Sequence, residues 1–208
     1  MAVKEPGSVE QVAAATIREL FNFLKAQGGM DYMGERVSQL QHSLQAAQLA
    51  YESGADDDTI LAALLHDVGR FIPKASSMPA LIAPDGQRVG IASHEVLGEE
   101  YLRQLGFSEK ICQLVGAHVM AKRYLSAVDK EYYNSLSPLS KKSLVFQGGI
   151  FTQDQIESAQ KDPLLAEKLA VRKWDDLAKD PAKKTFDLEY FIPLATASLL
   201  RSRQEKML

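Results

Sequence analysis

The sequence predicts an all-α protein, read as a single helical bundle over residues 1–208. Capping Ser, Thr and Asp residues and helix-ending glycines recur along the whole chain. Alternating β-branched runs bounded by hairpin turns are scarce. One segment, DTILAALLHDVG, is so uniformly apolar that it belongs at the centre of a bundle. At 208 residues the chain is long enough for one compact domain with a real core.

Ser8 caps a first helix that runs to about Gln27, where Gly28 and Gly29 provide a left-handed stop. A second helix starts near Gly34 and runs to Ser53, with Gly54 as its stop. Asp57 or Asp58 caps the apolar third helix, closed by Gly69. Residues 71–92 hold too many prolines and glycines for a helix and are too long for a tight turn, so they read as a structured functional loop. Ser93 caps a helix over 94–105 stopped by Gly106, and Ser108 caps one over 109–124 with its apolar stripe at Ile111, Val115 and Val119. Helices near 138–147 and 152–161 follow. Asp162 before Pro163 opens a helix to about Ala178, and a last helix covers about 187–203.

Composition narrows the function classes. The 24 basic and 27 acidic residues are interspersed, and a net charge of −3 leaves no electrostatic footprint for nucleic acid or a membrane surface. Cys112 is the only cysteine, which excludes intramolecular disulfides and cysteine-ligated zinc or iron-sulfur sites. The opening MAVKEPGSVEQ shows no apolar signal region, and no apolar run approaches the roughly 20 residues that span a bilayer. A cytoplasmic enzyme acting on a small molecule fits these features.

The chain has four histidines, His42, His66, His94 and His118, each on or at the start of a different expected helix. A lone histidine on an apolar helix is ordinarily a core residue. Four together, with Asp67 directly after His66 in the most apolar helix, are harder to explain that way. A buried unpaired carboxylate costs several kcal/mol, so Asp67 needs a cation or a dense set of donors. A divalent metal supplies it. Adjacent helical residues point about 100° apart, so His66 and Asp67 can address two neighbouring metal positions.

The order H…HD…H…H…D, from His42 through His66-Asp67, His94 and His118 to Asp175, resembles the ligand order of the HD-domain metalloproteins, in the dinuclear branch. The match spans residues 31–176. Asp175 or Asp176 can be the last ligand, and the family pattern R-x-x-D, here Arg172 to Asp175, favours Asp175. Most HD-domain proteins are similar to metal-dependent phosphohydrolases, the alternative reading, which would act on a nucleotide or small phosphoester. The stretch D-Y-M-G-E ahead of His42, with L-x-H-S and A-A-L-L-H-D-V-G, more closely resembles the HD-domain phosphonate oxygenases typified by the glycine-forming 2-amino-1-hydroxyethylphosphonate dioxygenase.

That resemblance implies a mixed-valent Fe(II)/Fe(III) pair bridged by Asp67, and O2 as co-substrate. It also implies cleavage of the C–P bond of a 1-hydroxy-2-(amino or trimethylammonio)ethylphosphonate to phosphate and glycine or glycine betaine. An upstream 2-oxoglutarate-dependent phosphonate hydroxylase would supply the substrate. Tyr32 matches a tyrosine that can occupy an open iron position, and Glu35 matches the acid that meets the substrate amine. Ser140 and Ser143 match positions that bind phosphonate oxygens. Lys122 lies one helical turn beyond His118 and Arg172 one turn before Asp175, so both project from ligand-bearing faces toward such an anion. Arg70 departs from the family, which carries another histidine there; its fork can bind the same phosphonate.

Spacing constrains these roles. Tyr32 and His42 are too far apart to reach one metal from a single helix, so Tyr32 must lie on a loop folded back over the site. Glu35 and His42, seven apart, would share a helix face. An inositol-oxygenase-like enzyme would have little use for the Lys122, Arg172 and serine cluster. A regulatory HD domain would not need every ligand.

Overall fold

A computed structural model describes residues 8–29, 32, 36–86 and 88–206. Among them are eleven α-helices and one two-stranded hairpin, the all-α class the sequence predicts. No described helix is long and apolar enough to cross a membrane.

Helix α1 (Val9–Gln27) opens on a reciprocal capping box between Ser8 and Gln11. Its end differs from expectation, because Gly28 stays right-handed at φ −71°. The glycine is needed for close approach instead: a Cβ there would stand 2.5 Å from Leu40 Cβ. Helix α2 (Gln39–Glu52) begins at Ser38, again through a capping box with Gln41, and not near Gly34, which lies outside the described residues. Gly54 takes φ +72°, the left-handed stop expected of it.

Asp56, one residue earlier than expected, caps α3 (Asp57–Leu65) by accepting the Thr59 N–H. Asp57 and Asp58 fall in the first turn, where carboxylates complement the helix dipole. The helix ends at His66 and a 3-10 turn, Val68–Arg70, follows. Gly69 is therefore not a left-handed stop. A Cβ on it would lie 1.9 Å from the His94 carbonyl oxygen, so the glycine lets two ligand-bearing segments touch.

Residues 71–92 contain a 3-10 turn, Pro73–Ser77, and an antiparallel hairpin of β1 (Ala80–Ile82) and β2 (Arg88–Ile91). Strands of three and four residues are too short for alternation to register in a sequence. Ser93 sits in the left-handed region at φ 56° and offers no side-chain cap to α4 (His94–Leu105), contrary to expectation; Gly106 does close that helix, at φ +99°. The single helix expected over 109–124 is two, α5 (Glu109–Gly116) and α6 (His118–Val128), separated at Ala117.

Helix α7 (Lys130–Ser135) had no clear sequence signal, whereas α8 (Pro138–Phe146) and α9 (Gln153–Ala159) fall where expected. Asp162 accepts the Leu164 N–H in the turn before α10 (Leu165–Leu177), so this helix starts later than the Asp-Pro pair suggests. A 3-10 turn, Leu188–Phe191, leads into α11 (Ile192–Glu205).

Helix α3 occupies the centre, with α2, α5, α10 and α11 packed around it. Its Leu61, Leu64 and Leu65 are fully buried with Phe107, Ile111, Leu114 and Leu199. Burial of each such side chain is worth roughly 1.5–3 kcal/mol, which holds the ligand-bearing helices in register. Helix α10 also packs on α2 and α6, and α4 on α5 and the Val68–Arg70 turn.

Gly69→Ala should destabilise the protein by about 3 kcal/mol, because the added methyl meets backbone that cannot move aside. Gly29→Ala, with open space around the new Cβ, should stay within about 0.5 kcal/mol. Thermal denaturation of the two variants beside the parent checks the contrast; equal midpoints would contradict the close approach.

Candidate active site

Each histidine is fixed by its Nδ1. His66, His94 and His118 place Nδ1 at 2.8, 3.0 and 2.9 Å from the carbonyls of Ala63, Ile91 and Val115, each three residues earlier. These rings sit at helix boundaries: His66 at the end of α3, His94 and His118 at the starts of α4 and α6. His42, inside α2, reaches across the fold to Ala178 O at 2.9 Å. A carbonyl only accepts, so each Nδ1 carries a proton and Nε2 is left as the metal-binding lone pair.

Those lone pairs converge in twos. His42 Nε2 and His66 Nε2 are 3.0 Å apart, and His94 Nε2 and His118 Nε2 are 2.9 Å apart. Asp67 lies between the pairs, 1 % exposed. Its Oδ2 is 4.0 Å from His42 Nε2 and 3.8 Å from His66 Nε2; its Oδ1 is 3.6 Å from His94 Nε2 and 3.8 Å from His118 Nε2. Asp175 Oδ1 joins the first pair at 3.3 Å from His42 and 3.7 Å from His66. Donors about 2.1 Å from one ion stand roughly 3–3.5 Å from each other, so the set fits two ions sharing Asp67.

The electrostatics agree. Burial pushes His94 well below its ordinary pKa, with Arg70 adding to the effect, and it pushes His118 down to about 4 despite Asp67. Two neutral rings facing lone pair to lone pair need a cation. On the other side burial opposes protonation, yet Asp67 and Asp175 raise His66 to about 9, so the negative charge there favours a positive partner at its Nε2. Asp67 Oδ2 is buried and has no hydrogen-bond partner among the described residues. Burial alone would raise both carboxyls; Arg70 and the histidines hold Asp67 ionised, and Arg172 does the same for Asp175. The geometry also separates Asp175 from Asp176, because Asp176 turns away to pair with Arg172 and Tyr132.

Tyr32 stacks on His42, with centroids 3.8 Å apart and planes 15° apart, and its hydroxyl donates to Asp175 Oδ1 at 3.3 Å. Tyr32 therefore lies over the cluster, as the spacing requires. Burial, then the Asp175 and Asp67 charges, raises its pKa well above the usual phenol value, so Tyr32 stays a donor. Glu35 lies outside the described residues. Because α2 starts at Gln39, the helix face it was expected to share with His42 does not extend that far.

One cleft is lined by Tyr32, Arg70, His94, His118, Lys122, Ser140, Ser143, Arg172 and Asp175. Of the cluster, His94, His118 and Asp175 reach this cleft, whereas His42 and His66 do not line it. Lys122 is 3 % exposed and its Nζ donates to Ser143 Oγ at 2.9 Å. Ser143 donates to Ser140 O at 3.0 Å, and Ser137 donates to Ser140 Oγ at 3.1 Å. Arg70 Nε lies 2.7 Å from Asp67 Oδ1, which ties this departure from the family to the shared carboxylate as well as to the cleft wall.

Sequence reasoning missed Tyr132 on α7, which contacts Arg172 and Asp176. The Arg172-Asp176 spacing was readable as an i,i+4 pair. A tyrosine forty residues earlier, on an unforeseen helix, left no local signal.

The HD-domain family profile matches residues 40–180. A hydroxymethylphosphonate dioxygenase of Gimesia maris is 34 % identical over 185 residues, 88 % of each chain. The [1-hydroxy-2-(trimethylamino)ethyl]phosphonate dioxygenase (glycine-betaine-forming) of Leisingera caerulea is 36 % identical over 168 residues, 81 % of this chain and 82 % of that one. An uncharacterized protein of Acanthamoeba polyphaga mimivirus is 35 % identical over 184 residues, 88 % and 81 % of the two chains. A histidine and aspartate cluster on five helical segments, an all-α frame and relatives that align over most of their length give one answer: the chain belongs to the HD-domain family, in the group that includes these dioxygenases.

Proposed function

We propose that this chain is a di-iron oxygenase that cleaves the C–P bond of a 1-hydroxyphosphonate with O2. The observation that carries the reading is the cleft in which buried Lys122 and Arg172 stand beside His94, His118 and Asp175 of the cluster. A phosphonate dianion is the small ligand that such cations, with the Ser140 and Ser143 hydroxyls beside them, would hold against a metal. Two irons, Fe(II) and Fe(III), would supply the electron transfer and acidify the substrate hydroxyl. In the overall reaction R–CH(OH)–PO3H2 and O2 give R–COOH and H3PO4; the substrate provides all the electrons that O2 takes up.

The remaining work belongs to the chain. Asp67 would bridge the ions, His42, His66 and Asp175 would close one half, and His94 and His118 would leave positions free on the other. Tyr32, whose ring is stacked on His42 and whose hydroxyl makes a long hydrogen bond to Asp175, would act as the gate. Arg70 can hold Asp67 and the phosphonate from one side of the cleft. Glu35 is the proposed reader of a substrate amine. The two named relatives differ at that end of the substrate, one lacking an ammonium and one carrying a trimethylammonium. An amino or trimethylammonio substituent, giving glycine or glycine betaine, is the reading that uses Glu35.

Iron-loaded protein given 1-hydroxyphosphonates should consume O2 and release phosphate in equal amounts; phosphate released at the same rate without O2 would indicate a phosphohydrolase instead. Asp67→Ala should lose both ions in metal analysis, whereas Asp175→Ala should weaken one. Retention of two ions by Asp67→Ala would contradict the bridge.

Lys122 gives a pH signature. Burial, reinforced by repulsion from Arg172, lowers its pKa to about 7. Below that value Lys122 is charged and attracts the dianion; above it the charge is lost. KM should therefore rise above pH 7, by at most about tenfold per unit for one proton. Lys122→Arg, always charged, should flatten this limb. A wild-type KM that stays level from pH 7 to 9 would remove Lys122 from phosphonate binding.

A further inference from the structure

Arg172 joins the ion cluster to an outer helix. Its Nη1 donates to Asp175 Oδ2 at 2.7 Å, and its Nε donates to Asp176 Oδ2 at 2.9 Å and to Tyr132 Oη at 3.0 Å. Nη2 pairs with Asp176 Oδ1. Tyr132 Oη closes the ring by donating to Asp176 Oδ2 at 2.7 Å. Asp175 and Asp176 lie on α10 with Arg172, three and four residues on, and pull the guanidinium toward two sides of its own helix. Tyr132 belongs to α7, so its hydroxyl ties the fork to a second element and fixes the plane that a flexible arginine stem would otherwise leave free.

The arrangement is one-directional. Arg172 occupies Asp175 Oδ2, which leaves Oδ1 turned toward His42 and His66. Among the described residues no hydrogen bond of this ring goes to His94 or His118, whose Nδ1 anchors are the local carbonyls of Ile91 and Val115. Tyr132 is only partly buried, stands outside the cleft lining and makes no contact with the ion-binding atoms.

We propose that Tyr132 is a positioning residue that, through Arg172, sets the Asp175 carboxylate and so controls ion affinity in the His42–His66–Asp175 half alone. The proposal rests on the two-ion reading above. It gives the two halves separate control: one by local backbone, the other by a hydroxyl on a helix that carries no proposed ligand.

Tyr132→Phe keeps the ring and removes only the hydroxyl. Metal-free protein titrated anaerobically with Fe(II) should show one of its two sites weakened by roughly 10–100-fold and the other unchanged, the usual size of an outer-partner effect. Asp176→Asn should do the same, and the double variant should be no worse than the weaker single, because both break one network. In a His118→Ala background Tyr132→Phe should still weaken the remaining site; in a His42→Ala background it should have no effect. Unchanged affinity at both sites, or equal loss at both, would overturn the assignment. A wild-type chain that binds a single ion would overturn the two-ion reading and the assignment together, whereas loss confined to the wrong half would overturn the assignment alone.

Discussion

The buried Asp67 carboxylate is the constraint around which the protein is organised. Placing an ionised group where only 1 % of it reaches solvent costs several kcal/mol unless compensated. Compensation comes from every side: Arg70 at 2.7 Å, two imidazole pairs under 4.1 Å, and a further carboxylate that makes the demand for cations stronger. Two positive ions sharing Asp67, as proposed, would satisfy carboxylates and imidazole lone pairs together. Protons alone cannot, because His94 and His118 resist protonation.

Helix boundaries do the placing. A helix C-terminus frees a carbonyl, and His66 and His118 each take one three residues back to fix ring and tautomer, while His94 takes that of Ile91 at the end of β2. The interruption at Ala117 therefore has a use, since an unbroken helix would keep the Val115 carbonyl in its own ladder. Gly69 acts alongside: without a side chain it lets the turn after Asp67 touch the backbone of His94, which brings the two halves of the cluster within reach of one carboxylate.

The cleft inherits its polarity from the same cluster. Arg70 and Arg172 enter it as partners of Asp67 and Asp175, so charges that stabilise the buried carboxylates also line the cleft. Lys122 differs, having a serine hydroxyl as its hydrogen-bond partner, and this is why burial can bring its pKa close to neutrality. Under the proposed function, an anion entering the cleft would meet one titratable cation among fixed ones.

Much of the fold was legible in the residues themselves. Local chemistry decides Ser8, Ser108, Gly54 and Gly106, and the structure uses them as the sequence indicates, because caps and left-handed stops need only neighbours. The apolar uniformity of α3 announced a central helix, and four histidines with Asp67 announced a cation site. Other features depend on partners far along the chain. Gly28 and Gly69 are glycines because Leu40 and His94 approach them, and no local pattern reveals an approach. Asp175 rather than Asp176 faces the histidines because Tyr132 and Arg172 turn the other carboxylate aside. The sequence by itself determined which groups could gather around a cation and that they would be helical; only the tertiary structure decided how they divide into two halves around one carboxylate, since that division is a matter of distances between segments that helical periodicity does not encode.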